Sequence, residues 1–208
     1  AVSGQAVGPG DFVEIAYQGW HANDDGSKGD GFISSEESGA PARLLLGAGM
    51  VNEGLDRGLA GMKPGGRRQV VVPPELGYGK RGKDGVRPNA TLIYEVELLT
   101  VYQVERETLR EGSGDPLAAK QRATFHYTGW LDVGDGAKGD QFHDSRDLSA
   151  PITAMLGAFK LQPGMELALL GMRRGELCRV NVPSELAFGS RGWHRGPRTL
   201  VPPDTDVI

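Results

Sequence analysis

Residues 61–82 read GMKPGGRRQVVVPPELGYGKRG, and residues 171–192 read GMRRGELCRVNVPSELAFGSRG. The second stretch repeats the first at a constant offset of 110 positions. Met62/Met172, Gly65/Gly175, Val72/Val182, Pro73/Pro183, Glu75/Glu185, Leu76/Leu186, Gly79/Gly189 and Gly82/Gly192 are identical pairs. Both copies carry the same local instructions: a helix end closed by Gly, a β-rich run, a Pro break, then a Gly-bounded turn holding an aromatic. A chain of 208 residues that repeats itself halfway along reads as two domains of ~100 residues each.

Upstream of the first copy, residues 12–20 (FVEIAYQGW) alternate as a strand with one buried face. A turn-rich segment at 23–31 follows, and Phe32 opens a second, irregular strand. Pro41 precedes Leu44, Leu45 and Leu46. Asn52 is placed as the N-cap of a short helix, with Glu53 and Asp56 in the first turn favouring its positive dipole end. Leu55, Leu59 and Met62 lie at helical spacing, and Pro64 and Gly65 are expected to end the helix. Residues 67–72 form a strand that Pro73 and Pro74 stop. Residues 91–101 form the last strand of the unit, with Leu92, Tyr94, Val96 and Leu98 on one face. Residues 1–10, rich in Gly, Ala and Pro, are expected to be a loose arm.

The second unit follows the same order. Residues 123–130 echo the first strand, Phe142 echoes Phe32, and Pro151 echoes Pro41. Pro163 suits a first helical turn, with Met165, Leu169 and Met172 on one face. The domains are expected at 1–101 and 102–208, with almost no linker. After Gly192 the offset grows to 115, so that Ile208 answers Ile93. The second unit is therefore expected to lack its final strand in this chain; a continuing chain or a neighbour would supply it.

Bulk chemistry narrows the function. The balance of 23 basic and 27 acidic residues gives a net charge of −4, which argues against nucleic acid or an anionic membrane as the main partner. The one cysteine, Cys178, cannot form a disulfide within the chain, and no targeting segment assigns a compartment. No apolar run approaches the ~20 residues of a membrane span. The acidic, Gly-rich segments 23–31 and 132–140 fail the ligand spacing of a calcium loop, because alignment on Gly26 puts His21 and Phe32 where oxygens are needed. His21, His126, His143 and His194 form no pair with metal-ligand spacing. No nucleophile or phosphate-loop pattern appears. What recurs is aromatic: Tyr17, Phe32, Tyr78 and Tyr94, then Tyr127, Phe142 and Phe188. Such rings either fill a small β-rich core or line a cavity, and the pattern leaves both open.

Tyr17-x-Gly19, Phe32-x-Ser34-Ser35, Leu46-Gly47, Gly54-Leu55-x-x-Gly58, Gly61-Met62, Pro73-Pro74-Glu75-Leu76-Gly77-Tyr78-Gly79 and Pro88-Asn89-Ala90-Thr91-Leu92 resemble an FKBP-type peptidyl-prolyl cis-trans isomerase domain. His126-Tyr127-Thr128-Gly129, Phe142-x-Asp144-Ser145-Arg146-Asp147 and Pro202-Pro203 extend the resemblance to the second unit. It implies an α+β fold: two tandem FKBP-like domains, each a twisted antiparallel sheet wrapped around one short helix, with an apolar aromatic cleft between them. It also implies peptidyl-prolyl isomerisation in aid of protein folding, on proline-containing polypeptides, with no cofactor and no metal. By this resemblance Tyr17, Phe32, Tyr78 and Tyr94 carry catalysis, and Val51, Leu55 and Val86 bind substrate. The second cleft would be Tyr127, Phe142, Leu161, Met165 and Phe188. The chain departs from the usual pattern in six places: Ile33 and His143 stand at the acidic position, Leu55 replaces the floor Trp, Ala42 and Asn52 replace larger apolar residues, and Phe188 lacks the hydroxyl of Tyr78. The first domain is expected to be the more active. The alternative is a non-catalytic adaptor or assembly subunit of a larger complex.

Overall fold

The computed structural model describes residues 4–158 and 160–208. The chain divides into two units, the first ending at Tyr102 and the second beginning at Gln103. Each combines antiparallel strands with one short α-helix, the α+β architecture.

In the first unit β1 (Phe12–Ala22) is the spine of one antiparallel sheet. It pairs with β2 (Lys28–Ser34) at one end, with β3 (Ala42–Leu45) at the other, and with β5 (Leu92–Tyr102) along its length. β4 (Arg67–Val72) closes on the far side of β5. Val70 lies opposite Tyr94 and Val72 opposite Leu92, so these residues share the inward face. That face, with Val13, Ile15, Val96 and Leu98, forms the core.

The helix α1 (Glu53–Leu59) packs on β4. Asn52 caps it, accepting the Leu55 N–H at 2.9 Å through its side chain. Gly54 and Gly58 make the packing possible: a Cβ on either would collide with Val72 or Val70. The helix ends at Leu59, well before Pro64, because the chain turns left-handed at Gly61 (φ +78°). Here the amino-terminal segment takes over the backbone. Gly61 N–H donates to the Val7 carbonyl at 2.7 Å, and Val7 N–H donates to the Met62 carbonyl at 2.9 Å. Val7 is 4% exposed, so the expectation of a loose arm is corrected from Val7 onward, while residues 1–3 lie outside the described residues. Arg68 also donates to the carbonyls of Gly58 and Ala60, at 2.6 and 2.9 Å.

In the second unit β6 (Glu105–Arg110) pairs with β11 (Leu177–Asn181), β7 (Arg122–Phe125) with β10 (Ile152–Met155), and β8 (Thr128–Asp132) with β9 (Lys138–Asp144). β7 and β8 together occupy the positions of β1 at the 110-residue offset. The loop after Ser190 folds into a small hairpin of β12 (Trp193–Arg195) and β13 (Arg198–Val201). Trp130 and Ile208 exchange backbone hydrogen bonds at 3.0 and 2.9 Å, the place that Trp20 and Ile93 hold in the first unit. The helix α2 (Pro163–Leu169) differs from the expected face of Met165, Leu169 and Met172. Of that face only Leu169 is fully buried, Met165 and Met172 being half-buried; the helix buries Glu166 instead, whose carboxylate accepts the Gly157 N–H at 3.2 Å, just as Asp56 accepts the Gly47 N–H at 3.0 Å. The other Glu166 oxygen, Oε1, is buried without a partner.

Candidate functional site

The first unit brings its aromatic residues to one place. Leu55, Val86 and Tyr94 belong to the buried core, and Tyr17, Phe32, Val51 and Tyr78 pack against it half-buried. β1 contributes Tyr17, β2 Phe32, β5 Tyr94, and the start of α1 Leu55. Tyr78 sits between two single 3-10 turns that the Pro73–Pro74 break and Gly79 create. Phe32 meets the Tyr94 ring edge-on, with centroids 5.7 Å apart and planes at 81°.

Two residues outside the predicted set shape this cluster. Gly19 is the first. A Cβ there would stand 2.8 Å from Phe32 Cζ, 2.8 Å from Ile33 Cγ2 and 3.0 Å from Tyr94 Cε1. The absent side chain is what lets the Phe32 and Tyr94 rings close over β1. The repeated Tyr-x-Gly of residues 17–19 and 127–129 was the available signal. The second is His21, buried against Phe32 with ring centroids 5.3 Å apart. Its Nδ1 lies 3.2 Å from the Asp30 carbonyl and its Nε2 accepts the Arg87 N–H at 3.3 Å. An imidazole protonated at Nδ1 satisfies both contacts, and so ties the loop carrying Val86 to β2. Nothing in the histidine spacing indicated this.

The hydroxyls of the cluster are electrostatically linked. Burial raises the Tyr17 phenol above its ordinary pKa, and Tyr78 adds to the effect. Tyr94 is raised much further, by burial first and by its Tyr78 neighbour second. Both phenols stay neutral at physiological pH and keep their hydrogens to donate. Ile33, at the usual acidic position, is 37% exposed. Lys83 Nζ lies 5.3 Å from the centre of the Tyr78 ring.

In the second unit Tyr127, Phe142, Met165 and Phe188 line a cavity of about 870 Å³, and Leu161 is not among its lining residues. The aromatic side is crowded. Trp193 stacks on Phe188 with centroids 5.4 Å apart and planes at 4°. It also meets Phe142 edge-on at 6.0 Å and His143 at 5.8 Å. His143 in turn stacks on Tyr127 at 4.8 Å, and its Nε2 is buried without a partner. Asp144, one residue on, is engaged elsewhere. It accepts the Arg146 N–H at 2.8 Å, which holds its carboxyl below the usual range. Among the described residues no group of His, Cys, Asp and Glu is arranged to hold a metal, and no helix is long and apolar enough to cross a membrane.

The model of the FKBP-type peptidyl-prolyl cis-trans isomerase family matches residues 4–99 and again residues 114–208. The human "Peptidyl-prolyl cis-trans isomerase FKBP10" is 34% identical over 206 residues, covering 96% of this chain and 33% of that protein. The "FK506-binding protein" of Neisseria meningitidis serogroup A is 45% identical over 101 residues, covering 48% of this chain and 88% of the relative. Among solved structures, FkpA from Escherichia coli shares 40% identity over 49% of this chain and 44% of its own, with a TM-score of 0.42. The chain spans about a third of the length of the mammalian relatives it matches.

Proposed function

The chain belongs to the FKBP-type peptidyl-prolyl cis-trans isomerase family, and on that premise we propose that its first unit catalyses rotation about X–Pro peptide bonds in other polypeptides. The observation that carries this reading is the convergence of Tyr17, Phe32, Tyr78 and Tyr94 from separate elements, with Leu55 and Val86 beside them. The barrier to be lowered is ~18–20 kcal/mol and arises from amide resonance. Resonance places negative charge on the carbonyl oxygen of the planar amide. Apolar walls that exclude water disfavour that charge-separated form relative to the twisted one. Binding energy that favours the twisted form then appears in the rate. The Tyr78 hydroxyl is the donor for the substrate carbonyl. Val51, Leu55 and Val86 hold the proline end by apolar contact.

The second unit, in this reading, binds but does not catalyse. Phe188 offers no hydroxyl, and Trp193 lies flat on its ring. A second reading, a non-catalytic adaptor in a larger complex, is favoured by the exposed Ile33 and by this crowding. A protease-coupled assay on X–Pro peptides separates the two. Acceleration that falls about five- to tenfold in Tyr78→Phe, the cost of one neutral hydrogen bond, supports the isomerase. No acceleration, together with stoichiometric recovery in a complex that cleft substitutions leave intact, supports the adaptor.

A further inference from the structure

Residues 83–86 form a turn closed on itself. Lys83 N–H donates to the Val86 carbonyl at 3.1 Å, and Val86 N–H donates back to the Lys83 carbonyl at 2.7 Å. The turn brings Val86 into the apolar cluster and holds Lys83 Nζ over the Tyr78 ring. Its tie to the sheet lies one residue on. Arg87 N–H donates to His21 Nε2 at 3.3 Å, and the Arg87 guanidinium pairs with Asp30 on β2 at 3.1 Å. That ion pair is exposed and contributes little. His21 is 6% exposed, with its ring against Phe32 and its Nδ1 3.2 Å from the Asp30 carbonyl. A backbone N–H can only donate, so Nε2 accepts and the ring hydrogen sits on Nδ1. A second proton would put a hydrogen on Nε2 and set two donors face to face.

We propose that His21 is a positioning residue for the isomerisation assigned above: its neutral ring holds the 83–87 turn, and Val86 with it, in place for the substrate, and protonation of that ring releases the turn and weakens the hold on proline peptides. Imidazole changes its charge between about pH 5 and 8, so the cleft loses substrate affinity in acid. The charged groups on the elements around the ring are Asp30 on β2 and Lys83, Asp84 and Arg87 on the turn; on β5 the residue opposite His21 is Leu92. In the second unit the side-chain acceptor and the backbone donor are lost together. The position 110 residues beyond His21 is Leu131, whose side chain accepts nothing. Pro202 takes the place of Arg87 and has no N–H to give. The correspondence is structural: a Cβ on Gly82 would meet Val86, Arg87 and Pro88, and a Cβ on Gly192 would meet Val201, Pro202 and Pro203.

The inference rests on the isomerase reading, and one experiment on the full chain separates their failures. kcat and KM on a proline peptide are measured by exchange NMR at about pH 7.5 and about pH 5, the span over which imidazole titrates. Thermal unfolding is followed in the same samples. His21→Gln keeps an amide oxygen to accept the Arg87 N–H and cannot titrate. His21→Leu removes the acceptor and keeps the bulk. We expect the wild-type KM to rise about three- to tenfold in acid, the worth of one hydrogen bond, with kcat within about twofold. His21→Leu should show the raised KM at both pH values and His21→Gln the low one at both. Should one variant not fold, the other carries the comparison. A wild-type KM that does not move with pH, or a rise that His21→Gln or His21→Leu reproduces between the two pH values, overturns the inference alone. A wild-type chain that gives no acceleration at either pH overturns the isomerase reading and the inference together.

Discussion

At one place the two units pose the same question and answer it oppositely. Tyr78 and Phe188 sit at the same point of the repeat, and so do Lys83 and Trp193. In the first unit a solvated ammonium stands 5.3 Å above a phenol. In the second an indole lies flat on a phenyl ring, with Phe142 and His143 against its other sides. An ammonium over an exposed ring is worth about 0.5–1 kcal/mol and yields to a ligand. An aromatic pair adds a similar geometric preference to the area it buries, so displacing it costs more. Trp193 thus covers one ring of the second unit, while a cavity of about 870 Å³ remains beside Phe142 and Phe188.

The largest expected effect comes from Gly19→Ala. The new methyl meets Phe32 and Tyr94, and overpacking of this kind costs about 1–3 kcal/mol. Chemical denaturation should register that loss, and isomerase activity should drop more than about tenfold because the rings themselves move. Gly129→Ala meets Phe142 and should destabilise the second unit comparably while leaving the activity in place. The next effect tests the ring that Trp193 covers. Phe188→Tyr alone should not change proline-peptide binding to the second unit, measured by NMR titration of its amides. Phe188→Tyr with Trp193→Lys should tighten it by about tenfold. Equal binding by both variants would show that Trp193 is not the obstacle.

The smallest effect is a slope. Burial raises the Glu166 carboxyl above its ordinary pKa, and the Gly157 N–H opposes this only in part. The folded state therefore holds the proton more tightly than the unfolded one. Stability contributed by this group is full below the unfolded value, about 4.3, and is lost as pH rises through the raised folded value. Glu166→Gln should abolish that decline and protect α2 amides from hydrogen exchange at neutral pH.

Much of the framework was legible because it depends on short-range pattern. The strand at 67–72 emerged with its expected bounds, and Leu92, Tyr94, Val96 and Leu98 do share the buried face. Asn52 caps its helix as expected, since capping needs only a short polar side chain before a helical run. What escaped was tertiary. Val7 docks on the exit of α1 through backbone bonds that any residue could make. Trp193 was visible as a residue of a long loop, but its seat on Phe188 depends on how the β12–β13 hairpin folds back. In the first unit Leu55, Val86 and Tyr94 lie in the core cluster, and Tyr17, Phe32, Val51 and Tyr78 pack against it. In the second, Leu161 stands apart from the cavity lining, because offset alone cannot say which way a loop residue faces.

Arginine shows the same limit, with a practical outcome. Arg68 closes the end of α1 from the strand beneath it. At the matching position of the second unit stands Cys178, and the closing role passes to Arg106 on β6, which donates to the carbonyls of Ala168 and Leu170 at 3.4 and 2.9 Å. Anyone preparing the second half as a separate fragment would be tempted to begin where the family match does, at residue 114. That cut would discard β6, strip β11 of its neighbour and leave α2 fraying at its last turn. A fragment begun at Gln103 keeps the clasp.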